Sequence, residues 1–144
     1  MPYQRILLAA DLTDENLQVV EKAVRLCTTY NAKLVILHVI ESLNYAYGGD
    51  VPIDITDIQQ QLQTSAQEKL DSLCEQITCP IEKAIISQGG IESEIHRIAE
   101  EHETNLIVVG SHGRHGLALL LGSTANGVLH GAPCDVLAVR VKNT

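Results

Sequence analysis

Between Val108 and Thr124 the chain sets Gly110, Gly113, Gly116 and Gly122 around Ser111, His112, Arg114 and His115, and closes on Ser123-Thr124. Glycine tolerates positive φ and close backbone approach, so successive N–H groups of such a loop can converge on one anion. A helix opening at Ser123 would add its own free N–H groups, Arg114 a permanent positive charge, and His112 and His115 fractional ones. The chemistry favoured is the cradling of a phosphate. A tight turn leading into a capped helix uses the same residue types, so both readings stand at this point. Asp11, directly after the apolar run Ile6 to Ala10, is the second polar residue at a strand end; its plain structural role is the acid at a helix N-terminus.

Several other chemistries lack their residues. There is no Gly-x4-Gly-Lys-[Ser/Thr] and no Gly-x-Gly-x-x-Gly after the first apolar run, which excludes a P-loop and a dinucleotide fingerprint. The first run ends in Ala-Ala-Asp-Leu without the Ser-Gly-Gly-x-Asp of ATP pyrophosphatases, so adenylating chemistry has no visible site. Gly110-Ser111-His112-Gly113 does not supply the Gly-x-Ser-x-Gly of a serine hydrolase. His112 and His115 have no third ligand nearby in sequence, so no metal site is expected. Cys74 and Cys79 bracket a helix end rather than forming Cys-x-x-Cys, and carry little redox signal. His38 falls inside an apolar run and reads as a satisfied core histidine. No catalytic residue is assigned.

The elements that must position the loop and Asp11 alternate. Strands are read at Ile6–Ala10, Lys33–Ile40, Glu82–Ser87, Asn105–Val109 and Asp135–Val141. Between the first two, Thr13 is placed to cap a helix with Asp14 and Glu15 in its first turn and Leu17, Val20, Val24 and Cys27 as its apolar stripe. Ile55, Ile58, Leu62, Ala66, Leu70, Leu73 and Ile77 keep helical spacing and predict one long amphipathic helix. Ile91, Ile95, Ile98 and Ala99 mark a third helix, and Ser123 to His130 a short fourth. Five strands alternating with helices predict a doubly wound α/β fold, a parallel sheet with right-handed crossovers and helices on both faces. Its ligands belong beyond the carboxyl ends of strands, where neighbouring connections leave towards opposite faces.

The 144 residues fit a single domain, 1–144, and 45% hydrophobic content is enough for a core built from Ile, Leu, Val and Ala, since Phe and Trp are absent. Ten Lys and Arg against eighteen Asp and Glu give a net charge of -8, which repels a phosphate backbone; no nucleic-acid partner is expected. Apolar runs as short as Leu117 to Leu121, which none exceeds, cannot span a bilayer, so no membrane partner is expected. The N-terminus shows no export signal, and the four cysteines read as reduced thiols, which together point to a cytoplasmic protein.

Ile6-Leu7-Leu8-Ala9-Ala10-Asp11-Leu12, then Leu37-His38-Val39-Ile40, then the block from Val108 to Val139 with Gly-Ser-His-Gly-Arg-His-Gly, Leu-Gly-Ser-Thr-Ala and Ala-Pro-Cys-Asp-Val-Leu, together resemble the universal stress proteins, in particular the universal stress protein A class. The resemblance runs through the whole chain in order. It implies a Rossmann-like, adenine nucleotide alpha hydrolase-like fold with a five-stranded parallel sheet in the order 3-2-1-4-5, a homodimer, and in many members an ATP site, with Mg2+ accompanying the phosphates. Carried over, Ala10, Asp11 and Val39 would line the adenine and ribose, and Val109, Gly110, Gly113, Gly122, Ser123 and Thr124 would surround ribose and phosphates, with Arg114 alongside. ATP-binding members carry Gly-x2-Gly-x9-Gly-[Ser/Thr]. Here only eight residues, Arg114 to Leu121, separate Gly113 from Gly122. The missing residue removes up to ~3.5 Å of chain, or about 100° of helical phase. Counting nine instead lands on Ser123-Thr124, which keeps the hydroxyl and loses the glycine.

Two functions follow. One is a stress-response module whose occupancy by ATP changes how it meets partner proteins; the other is a protein-interaction dimer whose glycine loop is structural. Enzymatic ATP turnover is at most slow, since no general base or Mg2+ carboxylate beyond Asp11 is visible. The homodimer is expected through the fifth strand, an edge with free backbone donors. Glu41 to Asp54, with Gly48 and Gly49, is expected to form a loop beside the site, with Tyr45 or Tyr47 able to reach a base.

Overall fold

The computed structural model describes residues 3–41, 55–111 and 123–141, with Glu15, Ile55, Thr56, Ser123 and Thr124 described by backbone alone. Along them run β1 (Arg5–Ala9), a 3-10 turn (Asp14–Asn16), α1 (Leu17–Tyr30), β2 (Lys33–Ile40), α2 (Ile55–Gln76), β3 (Ile81–Gln88), α3 (Ile91–Glu101), β4 (Leu106–Gly110), α4 (Ser123–Leu129) and β5 (Asp135–Val139). The strands form one sheet in the order β3-β2-β1-β4-β5, and every neighbouring pair is parallel. Parallel strands covered on both faces need apolar side chains at every position rather than alternate ones. Leu34 to Ile40 is buried throughout and apolar except at His38, and Ile6 to Leu8 meet the demand at every position.

Alternation of side chains along each strand divides the core into two layers. Ile6, Leu8 and Ala10 of the first strand segment join Leu34 and Ile36 under α1 and α2, through Val19, Val20, Ala23, Cys27, Leu70 and Leu73. Leu7, Val35, Leu37 and Val39 face the other way, onto Ile95, Ile98 and Ala99 of α3 and Ala125 and Val128 of α4. The connection after β1 therefore leaves to one face of the sheet and the connection after β4 to the other, and these two strands are neighbours. α3 and α4 meet closely: a Cβ on Gly127 would collide with Cγ of Glu92, and Nε2–H of His96 donates to the Val128 carbonyl at 2.7 Å.

Three expectations need correction. Thr13 does not cap α1, which starts only after the 3-10 turn, with Asn16 in the capping position and no side-chain cap bond there. The α1 stripe turns towards Val19 and Ala23, and Leu17 is left 43% exposed. In α2 the helical spacing holds along its length, but among its described stripe residues Ala66, Leu70 and Leu73 are the buried ones; Ile58 and Leu62 are exposed, and Ile77, beyond the helix end, packs partly against the core. Amphipathic spacing shows that a face can be buried, whereas burial also requires an element opposite it. Elsewhere the differences are of one or two residues at element ends. Leu70→Ala is accordingly expected to cost about 3 kcal/mol through the cavity it leaves, and Leu62→Ala less than about 0.5 kcal/mol. Urea unfolding of both variants measures this, and equal losses would place the first half of α2 in the core.

Candidate functional site

β1 leaves the sheet at Ala10. Its N–H donates to the Leu37 carbonyl at 2.8 Å, and its carbonyl accepts the Nδ1–H of His38 at 2.7 Å, so both main-chain groups are tied to β2. His38 is buried, and because a carbonyl can only accept, its ring carries a proton on Nδ1. Asp11 then folds back on itself: Oδ1 accepts from the Thr13 N–H at 2.9 Å and the Thr13 hydroxyl at 2.7 Å, while the Asp11 N–H donates to Oδ1 of buried Asn16 at 3.2 Å. This is an Asx turn closed by a second side chain. Leu12 within it sits at φ 63°, a left-handed conformation costing a non-glycine residue about 1 kcal/mol or more. Packing of the Leu12 side chain on the core offsets that strain. The turn leaves the Asp11 carboxylate exposed to solvent at the strand end.

β4 ends in buried Val109 and then Gly110. A Cβ at Gly110 would lie 3.2 Å from Cγ2 of Val19 and 3.4 Å from Cγ2 of Val141, so packing against α1 and the residues after β5 already accounts for a glycine there. Ser111 is buried; its N–H donates to the Val139 carbonyl at 2.7 Å and its Oγ accepts from the Val141 N–H at 3.3 Å. The Ser111 N–H is thus committed to the fold, and an anion cradle would have to be built from later residues. Gly113, Arg114 and Gly122 lie outside the described residues, as do His112 and His115. Ser123 and Thr124 form the first turn of α4, described by backbone. Tyr45 and Tyr47 also lie outside the described residues.

The sheet brings together the residues from three strand ends. Continuing the pairing of Ala9 with Leu37 and of Leu8 with Val108 sets Val39 level with Asp11 and Gly110 level with Ala10. Val39 and Ala10 are both buried, on opposite faces of the sheet, and Asp11 is the exposed polar group between the strand ends. Sequence reasoning missed Asn16 and the role of Thr13, although Asp-x-Thr after a strand is the pattern of an Asx turn. It also missed a cleft of about 320 Å³ beside this turn, between the start of α1 and the second half of α2, where Leu12, Leu17, Val20 and Leu73 meet Asp14 and Lys69. Among the described residues no group of three His, Cys, Asp or Glu could hold a metal ion.

Residues 2–140 match the model of the Universal stress protein family. The chain belongs to that family. Universal stress protein A homolog 1 of Coxiella burnetii is 40% identical over 144 residues, covering 99% of each chain. Among solved structures, hypothetical protein MJ0577, solved as a test case of structural genomics, superposes over 100% of both chains with a TM-score of 0.81 at 25% identity. A universal stress protein crystallised in complex with cAMP has the same fold, with a TM-score of 0.67 and 24% identity over 99% of this chain and 100% of that one. The order 3-2-1-4-5 expected of a universal stress protein is the order observed.

The turn around Asp11 makes a separable demand on charge and on geometry. Asn16→Ala removes the acceptor for the Asp11 N–H and should lower stability by about 1 kcal/mol. Asp11→Asn keeps Oδ1 as an acceptor for Thr13 and should stay within about 0.5 kcal/mol of the parent. Denaturant titration distinguishes them; a larger loss for Asp11→Asn would mean that charge, not the turn, holds this segment.

Proposed function

We propose that this universal stress protein binds an adenine nucleotide, ATP with Mg2+, in the crevice beyond β1 and β4, and that occupancy changes how a cytoplasmic homodimer meets partner proteins. The observation that carries the reading is the reversal at the centre of the sheet. α1 and α4 leave neighbouring strands towards opposite faces, which opens a crevice at the strand ends where Asp11 lies level with Val39 and Gly110 with Ala10. The described residues fit the nucleoside half of such a ligand. At the strand ends Val39, and Ala10 from the opposite face of the sheet, offer apolar edges to a base, and the exposed Asp11 carboxylate suits ribose hydroxyls or a hydrated Mg2+, with Oδ1 already engaged by Thr13. The relative crystallised with cAMP supports an adenine nucleotide as the ligand class. Gly113, Arg114, Gly122, Ser123 and Thr124 would serve the phosphates. The output is regulatory, through contacts with other proteins, rather than catalytic.

A second reading is an interaction dimer that takes no nucleotide. It is favoured by the packing that already explains Gly110, by the commitment of the Ser111 N–H to Val139, and by the eight-residue spacer. Either reading uses β5, the sheet edge, for the homodimer. Because the Val139 carbonyl accepts from Ser111, the main-chain groups of Val139 face β4, and alternation turns those of Val136 and Ala138 outward. No helix among the described residues is long and apolar enough to cross a membrane.

Mass spectrometry of gently purified protein should find a co-purifying adenine nucleotide, and calorimetry should register MgATP. Asp11→Ala should weaken binding about tenfold or more, equivalent to roughly 1.4 kcal/mol, and Gly113→Val should abolish it. No heat at millimolar ATP would remove the nucleotide and leave the second reading. For the dimer, Ala138→Pro should delete an outward N–H and dissociate the pair in light scattering while circular dichroism stays unchanged. A dimer that survives with the fold intact uses another surface.

A further inference from the structure

One stripe of α2 serves the fold along only part of its length. Ile58, Leu62, Ser65, Lys69, Ser72 and Gln76 follow one another in alternate steps of four and three, so they lie on one side of the helix. Towards the end of the helix Lys69, Ser72 and Gln76, with Leu73 beside them, form one wall of the cleft whose other wall is Leu12, Leu17 and Val20. Towards its beginning the same stripe is open, with Ile58 42% exposed and Leu62 41%, and Leu17 at the cleft is exposed as well. From Ile58 to Gln67 there is no Asp, Glu, Lys, Arg or His, in a chain whose net charge is -8. Copies of an acidic chain repel one another where like charges would be opposed, so an uncharged surface is where a second copy approaches at least cost.

We propose that this stripe binds the same stripe of a second copy, α2 antiparallel to α2 about a two-fold axis at Ser65, a contact separate from β5 and independent of any nucleotide. The axis sets Ile58 level with Ser72 of the other copy and Leu62 level with Glu68. Each copy's exposed aliphatic pair thereby meets the other's cleft, where Leu17, Val20 and Leu73 supply apolar surface. A two-fold contact must be complementary to itself, because every pairing occurs twice. This one is: Glu68, Lys69 and Asp71 come level with Leu62, Gln61 and Gln59, and no charged residue of the helix comes level with another. The Gln61 amide is donor and acceptor at once, so it suits Lys69 and Glu68 alike. Ser65 at the axis and Ala66 beside it are small enough for the backbones to approach, and alternate steps of four and three are the spacing of helices that pack at about 20°. A helix stripe of about 22 Å, Ile58 to Ser72, is small beside the ~800 Å² per partner of a standard interface, so the association depends on concentration. Where β5 also pairs copies, α2 joins those pairs into larger assemblies.

Sedimentation of the full chain over a range of concentrations should show the average mass rising. Leu62→Glu, which sets a carboxylate level with Glu68 of the other copy, should hold the mass at that of the dilute parent while circular dichroism stays unchanged. Under mild oxidation Ser65→Cys should cross-link to its own counterpart about tenfold faster than Gln67→Cys, which lies on the opposite side of the helix and lacks the raised local concentration. Peptide mapping without reductant identifies the link and separates it from any made by Cys74. Loss of pairing at β5 would leave the Ser65→Cys link in place, so the two contacts are tested apart. Equal rates for Ser65→Cys and Gln67→Cys would overturn the proposal, as would a mass that Leu62→Glu leaves unchanged at every concentration. A different protein that co-purifies with the parent and is lost with Leu62→Glu, with no link at Ser65→Cys, would assign the stripe to another partner and overturn it too.

Discussion

A strand paired on both edges and covered on both faces can offer polar groups only at its ends, and β1 is such a strand. Ile6, Leu7 and Leu8 have no exposed surface, and β2 and β4 take the hydrogen bonds on either side. At the carboxyl end of the sheet, the polar groups that β1 presents are therefore concentrated where the chain leaves the strand. Ala10 spends its main-chain groups on Leu37 and His38, Asp11 spends its N–H on Asn16 and one carboxylate oxygen on Thr13, and Leu12 accepts an unfavourable φ so that these bonds can close. The exposed carboxylate of Asp11 is what this accounting leaves for a ligand.

The far wall of the crevice is built on the same economy. Gly110 is pinned between Val19 of α1 and Val141, and Ser111 turns inward to bridge Val139 and Val141. The floor of the crevice and the core under α1 thus share atoms. A ligand pressing on Gly110 would press on α1 and on the chain leaving the edge strand β5, which gives occupancy of the crevice a short mechanical path to the surface proposed for dimer contacts.

Much of this was legible in the sequence, for reasons that differ by element. β2 reads to its boundaries because a strand buried on both faces must be almost wholly apolar, and the run from Leu34 to Ile40 is so except at His38. α3 reads well because Ile95, Ile98 and Ala99 have both the spacing and a sheet opposite them. The first half of α2 misleads because Ile58 and Leu62 have the spacing without the partner. Thr13 misleads because a helix cap and an Asx turn draw on the same residue types, and only the hydroxyl's hydrogen bond to Asp11 separates them. Asp11 and Gly110 were found from strand ends alone, while Asn16 was not, since nothing local distinguishes a buried asparagine from a turn residue.

The hydrogen bond from His38 to Ala10 has a practical side. A ring proton on Nδ1, 2.7 Å from a carbonyl oxygen and buried with the rest of the side chain, should exchange slowly with solvent and resonate away from the amide envelope. It sits one peptide unit from Asp11. The protein thereby carries a native magnetic-resonance label at the floor of its crevice, readable without any chemical tag, whose position would register every change in how β1 hands the chain to the turn that follows.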